Sequence, residues 1–107
     1  MDDQLTEKVI GAAFKVHNIL GFGFLESVYE KALSIELSKA AVHHQTQAPI
    51  RVFYENQVVG EFVADVFVAD SLIVELKSVT QMTTAHEVQL VNYLTATKVD
   101  HGLLINY

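Results

Sequence analysis

Hydrophobic residues recur at intervals of three and four along roughly the first forty residues of the chain. This spacing places apolar side chains on one face of a helix, so it predicts one helix over about residues 4–19 and another over about 25–41. A glycine-rich segment at 21–24 separates the two helices. The apolar positions expected to pack are, in the first helix, Leu5, Val9, Ala12, Ala13, Val16, Ile19 and Leu20, and in the second, Leu25, Val28, Tyr29, Ala32 and Ile35.

The remainder of the chain is rich in β-branched and aromatic residues, which favour strands. Three strands are predicted between turn signals, the first introduced by Pro49, over about residues 50–55, 58–68 and 72–77. Asn56–Gln57 and Asp70–Ser71 are the expected turns. The His43–His44 pair is expected to end the second helix, where histidine suits the negative end of the helix dipole.

A third helix and a final strand complete the predicted pattern. Thr83 or Thr84 can cap a helix that runs to about Thr97, and the break at 100–102 precedes a strand at 103–107. The order of elements is typical of an α/β protein with a mixed sheet of about four strands flanked by helices. Since the last strand follows a helical crossover, it should lie parallel to a neighbouring strand.

Length and composition favour one domain spanning residues 1–107, because about two thirds of the unfolded surface can be buried at this size. The chain has no cysteine, which excludes disulfides, thiolate metal sites and cysteine nucleophiles. No apolar run approaches the roughly 18 residues of a membrane span, and no basic and apolar leader opens the chain. A soluble cytoplasmic protein with no membrane partner is therefore expected.

Three charged residues inside the predicted strands indicate a reactive site. Glu75 and Lys77 are two residues apart and leave the same face of their strand. If the preceding turn comprises residues 69–71, Asp65 faces Glu75 directly across the hairpin. Two carboxylates about 4–5 Å apart repel by roughly 3–4 kcal/mol at an effective dielectric near 20, so the pair calls for a cation. Oxygen ligands point to Mg²⁺ or Mn²⁺.

An ordinary surface arrangement is the alternative, in which the three side chains lie on a solvated sheet face and neutralise one another by surface pairing. Glu26 bears on the choice, because the helical wheel places it between Leu33 and Leu37 and predicts an inward carboxylate. It could equally be a first-turn charge that complements the helix dipole. On the third helix His86, Gln89 and Tyr93 form a polar stripe, in which His86 is expected to be structural and Gln89 to contact the site.

These segments together resemble a known family. Gly23–Tyr29 matches Gly-x-x-Glu-x-x-Tyr, and with Asp65, Glu75–Lys77 and His86–Leu94 it is similar to the GxxExxY family of the PD-(D/E)xK nuclease superfamily. The resemblance implies a restriction-endonuclease-like core in which Glu26, Asp65 and Glu75 bind one or two divalent metals. It further implies that Lys77 assists catalysis and that Gln89 supports the site. Ala64 stands where the superfamily name has proline.

The function expected from these features is phosphodiester hydrolysis by a Mg²⁺- or Mn²⁺-dependent nuclease, with DNA as the expected substrate. A catalytically inactive nuclease fold used for binding or assembly is the alternative, and a small acidic domain that acts on a partner protein is a second one. Thirteen acidic residues against seven basic ones give a charge of −6, which opposes nonspecific attraction to a polyanion. This charge, together with a final strand ending at Tyr107, predicts a homodimer or a partner chain.

Overall fold

The computed structural model describes residues 3–97, 99 and 101–107. Three α-helices and four β-strands follow one another as α1 (Asp3–Leu20), α2 (Glu26–Lys39), β1 (His44–Tyr54), β2 (Gln57–Val68), β3 (Leu72–Lys77), α3 (Thr84–Thr97) and β4 (His101–Asn106). This order confirms the predicted α/β architecture. Among the described residues, no helix is both long and apolar enough to span a membrane.

The four strands form one mixed sheet in the order β1-β2-β3-β4. β1 pairs with β2 and β2 with β3 in antiparallel fashion, as hairpin succession requires. β4 returns through α3 and pairs parallel to β3, from Leu72↔His101 to Lys77↔Asn106. The prediction of a parallel last strand is therefore confirmed, and β1 and β4 are the two edges of the sheet.

Helices α1 and α2 cover one face of the sheet and bury the larger apolar cluster. The face of α2 that reaches the core carries Tyr29, Leu33 and Leu37, each fully buried. The predicted face was partly wrong: Tyr29 is buried and Ala32 packs against the core, but Leu25, Val28 and Ile35 are exposed. The buried members of this cluster are Val9, Ala13, Val16, Tyr29, Leu33, Leu37, Val42, Val66, Val68, Leu72, Val74 and Leu76.

Helix α3 covers the opposite face with a smaller cluster. Its Leu90 packs with Ala48, Ala64 and Ile73. Gly102 on β4 permits this close approach, since a Cβ added there would lie 3.0 Å from a Leu90 methyl carbon. Because side chains alternate along β3, Leu72, Val74 and Leu76 face α1 and α2, whereas Ile73 faces α3. The residues with the parity of Ile73, which include Glu75 and Lys77, leave the α3 side.

Two boundaries differ from the sequence prediction. α2 ends at Lys39 and β1 begins at His44, so His44 opens a strand and does not end a helix. Its ring nitrogens lie 2.7 Å from the Ser34 hydroxyl and 2.9 Å from the Val42 carbonyl oxygen, which ties the start of β1 to α2. The turn between β1 and β2 consists of Glu55 and Asn56, with positive φ of 48° and 66°, one residue earlier than predicted.

Candidate active site

The β2–β3 hairpin sets the register of the two central charged strands. Ala69 and Asp70 adopt positive φ of 50° and 54°, the geometry of a tight hairpin turn, and Val68 pairs with Leu72. The paired residues end at Val66↔Val74, one residue before Asp65 and Glu75. The two strands are adjacent and antiparallel, and Val68 faces Leu72 as predicted, whereas direct pairing of Asp65 with Glu75 stays a prediction.

The Asp65 side chain forms a hydrogen bond to β3 where backbone pairing between β2 and β3 ends. Beyond Val66↔Val74 its Oδ2 accepts a hydrogen bond from the Leu76 N–H at 2.7 Å. A side-chain oxygen thus replaces the carbonyl that a continuing strand would supply. This contact turns the carboxylate toward β3 and fixes it beside Glu75.

Glu75 is a carboxylate in an unfavourable place. Its Oε1 is buried and has no hydrogen-bond partner among the described residues. The pKa of Glu75 is raised to about 8 by burial, the largest cause, and by the negative charge of Asp65, while the Lys77 cation partly opposes both effects. A fully solvated surface carboxylate would not be raised in this way. The surface-pairing alternative therefore does not describe Glu75, and the pair is suited to a cation.

Lys77 lies at the last position of β3, two residues beyond Glu75, and is half-buried. Its backbone is held on the β4 side, where the Tyr107 N–H donates to the Lys77 carbonyl at 2.9 Å. The ammonium is close enough for its charge to act on Glu75. Two carboxylates, and a lysine whose charge acts on Glu75, therefore lie near the end of this strand.

Glu26 corrects one expectation. It is the first residue of α2 and is exposed, not inward, although it shares a helical face with the fully buried Leu33 and Leu37. The helical wheel gives the direction of a side chain but not its depth, and the first turn of α2 lies at the rim of the core. Its Oε1 accepts a hydrogen bond from the Ser78 N–H at 3.3 Å, so Glu26 reaches the sheet just past the end of β3.

A cavity of about 370 Å³ opens between α2 and the strands at this point. Glu26 and Asp65 both line it, together with Ser27, Glu30, Gln47 and Leu76. Glu30 and Gln47 were not predicted. Glu30 lies one turn after Glu26, so the four-residue spacing was a usable signal. Gln47 had no sequence signal: it has a positive φ of 49°, lies between the paired residues Thr46 and Ala48, and donates its side-chain amide to Glu30.

The polar stripe of α3 has divided roles. The His86 Nδ1 accepts a hydrogen bond from the Thr83 N–H at 3.3 Å, which makes it a structural contact at the start of the helix. Tyr93 stacks on Phe62 with ring centroids 3.6 Å apart. Gln89 is exposed, beside Leu90 on the helix that covers the Glu75 face of the sheet. Its role in the site stays a prediction.

The donor set partly fits a divalent cation. Asp65 and Glu75 are oxygen donors of the type that Mg²⁺ and Mn²⁺ prefer, and the buried, unpartnered Glu75 Oε1 is the feature that a cation would satisfy. Within the described ranges, however, no group of three or more His, Asp or Glu side chains is arranged to hold a metal ion. Glu26 bonds Ser78 and does not complete such a group with the other two carboxylates.

A mixed four-stranded sheet with helices on both faces, and paired carboxylates next to a lysine at a strand end, defines a restriction-endonuclease-like protein. The family model of the PD-(D/E)XK nuclease superfamily matches residues 3–107, and the chain belongs to that superfamily. No curated protein and no solved structure matches it.

Proposed function

We propose that this protein is a metal-dependent nuclease that hydrolyses phosphodiester bonds in nucleic acid, with DNA as the expected substrate. One observation carries the proposal: Glu75, near Asp65 and Lys77, has a buried oxygen without a partner among the described residues and a pKa raised to about 8. Strongly perturbed carboxylates with a specific charge partner cluster at functional sites. Membership in a nuclease superfamily supplies the reaction class.

In the proposed site, Asp65 and Glu75 would hold Mg²⁺ or Mn²⁺, with Glu26 as a further ligand to one or two ions. The cation would supply Lewis-acid polarisation of the phosphate. Lys77 would either orient and deprotonate the attacking water or stabilise negative charge on the phosphate oxygens. The water oxygen would bond to phosphorus as the P–O bond to the leaving oxygen breaks, and the proton lost by the water balances the one gained by the departing alkoxide. Gln89 would support the site from α3.

We also place the chain in the GxxExxY group, for which Gly23, Glu26 and Tyr29 are the signature positions. The local structure explains why these residue types suit the signature positions. Gly23 has a φ of 104°, which favours glycine, and the Tyr29 hydroxyl bonds the loop that leads to Glu26. The signature is therefore suited to presenting one carboxylate at the start of α2.

A homodimer is the proposed assembly. The sheet has two edge strands, and β4 carries no lysine or proline of the kind that commonly protects an edge. A small nuclease also gains contact surface from a second copy when it must hold a nucleic acid. Light scattering at tens of micromolar is expected to give the dimer mass, and a monomer at that concentration would contradict this assembly.

A catalytically inactive binding or assembly module is the second candidate. It is favoured by the exposed position of Glu26, which belongs to no three-carboxylate group among the described residues. A cleavage assay separates the two. Single-stranded, double-stranded and branched DNA and RNA are incubated with wild type or Lys77→Ala and with Mg²⁺ or Mn²⁺. Metal-dependent cleavage of at least one substrate by wild type alone supports the nuclease. Absence of cleavage across the panel supports the module.

A further inference from the structure

The loop that joins α1 to α2 is fixed by the buried Tyr29. Its hydroxyl donates to the Gly21 carbonyl at 2.7 Å and accepts from the Phe24 N–H at 3.3 Å. The Tyr29 ring stacks on Tyr107 with centroids 4.2 Å apart, so the hydroxyl is held in place by core packing. The loop thus has a rigid anchor on its own helix, one turn after Glu26.

A second anchor comes from a distant part of the chain. Ser78 donates its hydroxyl to the Phe24 carbonyl at 2.8 Å, and its backbone N–H donates to the Glu26 Oε1 at 3.3 Å. These contacts span 54 and 52 residues in sequence. One residue therefore bonds both the loop before Glu26 and the Glu26 carboxylate itself.

Ser78 can act as an anchor because the sheet holds its neighbours. It follows Lys77, whose carbonyl accepts from Tyr107, and precedes Val79. The Asn106 side-chain amide pairs with Val79 in both directions, accepting from its N–H and donating to its carbonyl, each at 3.0 Å. Ser78 is consequently an extension of β3 with a defined position.

Glu26 needs such a contact because its own helix gives it little restraint. It is exposed, and Leu25 at the N-cap supplies no side-chain hydrogen bond. A free glutamate side chain samples many rotamers, and ordering it costs conformational entropy. The Ser78 N–H restrains the Glu26 carboxylate directly, and the Ser78 hydroxyl restrains the preceding loop, which reduces that cost before any ligand binds.

We propose that Ser78 is a positioning residue for Glu26. Its N–H holds the Glu26 carboxylate at the end of β3 beside the Asp65 cavity, and its hydroxyl holds the loop that precedes Glu26. The inference rests on the proposed function for the metal-ligand role of Glu26. The hydrogen-bonded arrangement itself is independent of that role. Two measurements, one without metal and one with it, keep the failure of the two proposals distinguishable.

The first measurement is amide hydrogen exchange of residue 78 in the metal-free protein, corrected for intrinsic rates. Ser78→Ala frees the loop and should accelerate exchange about fivefold, as expected for the loss of one ordinary hydrogen bond. Ser78→Thr keeps a hydroxyl and should restore protection. Ser71→Ala is the matched control, because this exposed serine lies in the turn at the other end of β3. Unchanged exchange in Ser78→Ala would overturn the proposal.

The second measurement is Mn²⁺ affinity by calorimetry in a double-mutant cycle. Ser78→Ala should weaken binding about fivefold in the wild-type background and have no further effect in Glu26→Ala, because its action passes through Glu26. An equal loss in both backgrounds, or no recovery in Ser78→Thr, would overturn the positioning role. If wild type binds no Mn²⁺, the proposed function fails, and the exchange result alone then decides for or against the positioning of Glu26.

Discussion

The two halves of strand β3 are held in different ways. Leu72, Ile73 and Val74 pair by backbone with both β2 and β4, and all three are almost fully buried. From Glu75 onward β4 remains a backbone partner, but on the β2 side the Asp65 side chain supplies the acceptor for Leu76. The first half serves packing. In the second half, a backbone N–H bonds a side chain in place of a strand, and the charged residues Glu75 and Lys77 lie there.

The difference shows how a small sheet can accommodate a polar site without losing its core. Where two strands diverge, backbone groups need other partners, because unpaired buried groups are costly. At the end of β3, the Asp65 carboxylate accepts from the Leu76 N–H, and the Asn106 side chain accepts from the Val79 N–H. The Ser78 hydroxyl donates to the Phe24 carbonyl. In the same region, the buried Glu75 Oε1 has no hydrogen-bond partner among the described residues. Stability and chemistry should therefore respond to different substitutions along one strand.

The largest expected effect is on cleavage, from Lys77→Ala in the second half of β3. This change removes a cation beside the carboxylates and not a ligand, so cleavage should fall about a hundredfold or more while Mn²⁺ still binds. Lys31→Ala on α2 is the matched control, because that lysine is exposed and should leave cleavage unchanged. Rates under single-turnover conditions test the prediction. Equal rates for Lys77→Ala and wild type would remove Lys77 from the mechanism.

A large stability effect is expected from Ile73→Ala in the first half. Ile73 is fully buried, and truncating such a side chain costs about 2–5 kcal/mol through lost burial and the cavity left behind. Val59→Ala on β2, where the side chain is 63% exposed, should change the unfolding free energy by less than about 0.5 kcal/mol. Urea denaturation measures both. A loss in Ile73→Ala as small as in the control would contradict the assignment of this half to packing.

The pH dependence of the stability of the metal-free protein tests the raised pKa of Glu75. Its folded pKa of about 8 lies above the unfolded value, so the native state binds the extra proton and stability falls as pH rises from about 4 to 8. Glu75→Gln removes the charge and should stabilise the protein at pH 8.5 by roughly 1–2 kcal/mol, after allowing for solvent screening of a partly exposed group. At pH 4 the two proteins should have the same melting temperature.

The Mn²⁺ affinity of wild type should rise with pH up to about 8, since the Glu75 ligand must lose its proton.

Stabilisation by Glu75→Gln that is the same at pH 4 and pH 8.5 would exclude a perturbed carboxyl group as its cause. Thermal melts at closely spaced pH values give this comparison directly.

The smallest expected effect comes from Gly102→Ala, opposite Ile73 in the parallel pair. A Cβ there meets three Leu90 side-chain carbons at 3.0–3.2 Å, so α3 must shift slightly and the unfolding free energy should fall by about 1 kcal/mol. Gly60→Ala on β2 is the control, because no atom lies within 4 Å of its added Cβ. Its stability should be unchanged or slightly higher. A loss in Gly60→Ala equal to that in Gly102→Ala would argue against close packing of α3 on β4.

The hairpin that carries Asp65 and Glu75 was predictable because turn length and two-residue alternation together fix a register. The parallel β4 followed from the helical crossover in the same way. The start of β1 was not predictable, since residues 44–49 are mostly polar and lack the apolar alternation of a half-buried strand. The positive φ of Gln47, beside Asp65, likewise had no local sequence signal.

For Glu26 the sequence predicted the helix and the helical face but not the environment. Exposure depends on how far the first turn of α2 extends past the sheet, which is a property of packing between distant elements. Its contact with Ser78 joins residues 52 apart and depends on the same packing. Long-range geometry of this kind is absent from local periodicity, so the sequence could nominate Glu26 as a candidate but could not predict its contacts.

A thermal melt with and without Mn²⁺ tests most directly the central claim that Asp65 and Glu75 form a cation site. At about a hundredfold over the dissociation constant, Mn²⁺ should stabilise wild type by roughly 2.7 kcal/mol, a melting shift on the order of 10 °C. Asp65→Asn can still accept the Leu76 hydrogen bond but lacks the ligand charge, so it should fold and lose most of the shift. No shift in wild type, or an equal shift in Asp65→Asn, would contradict the claim.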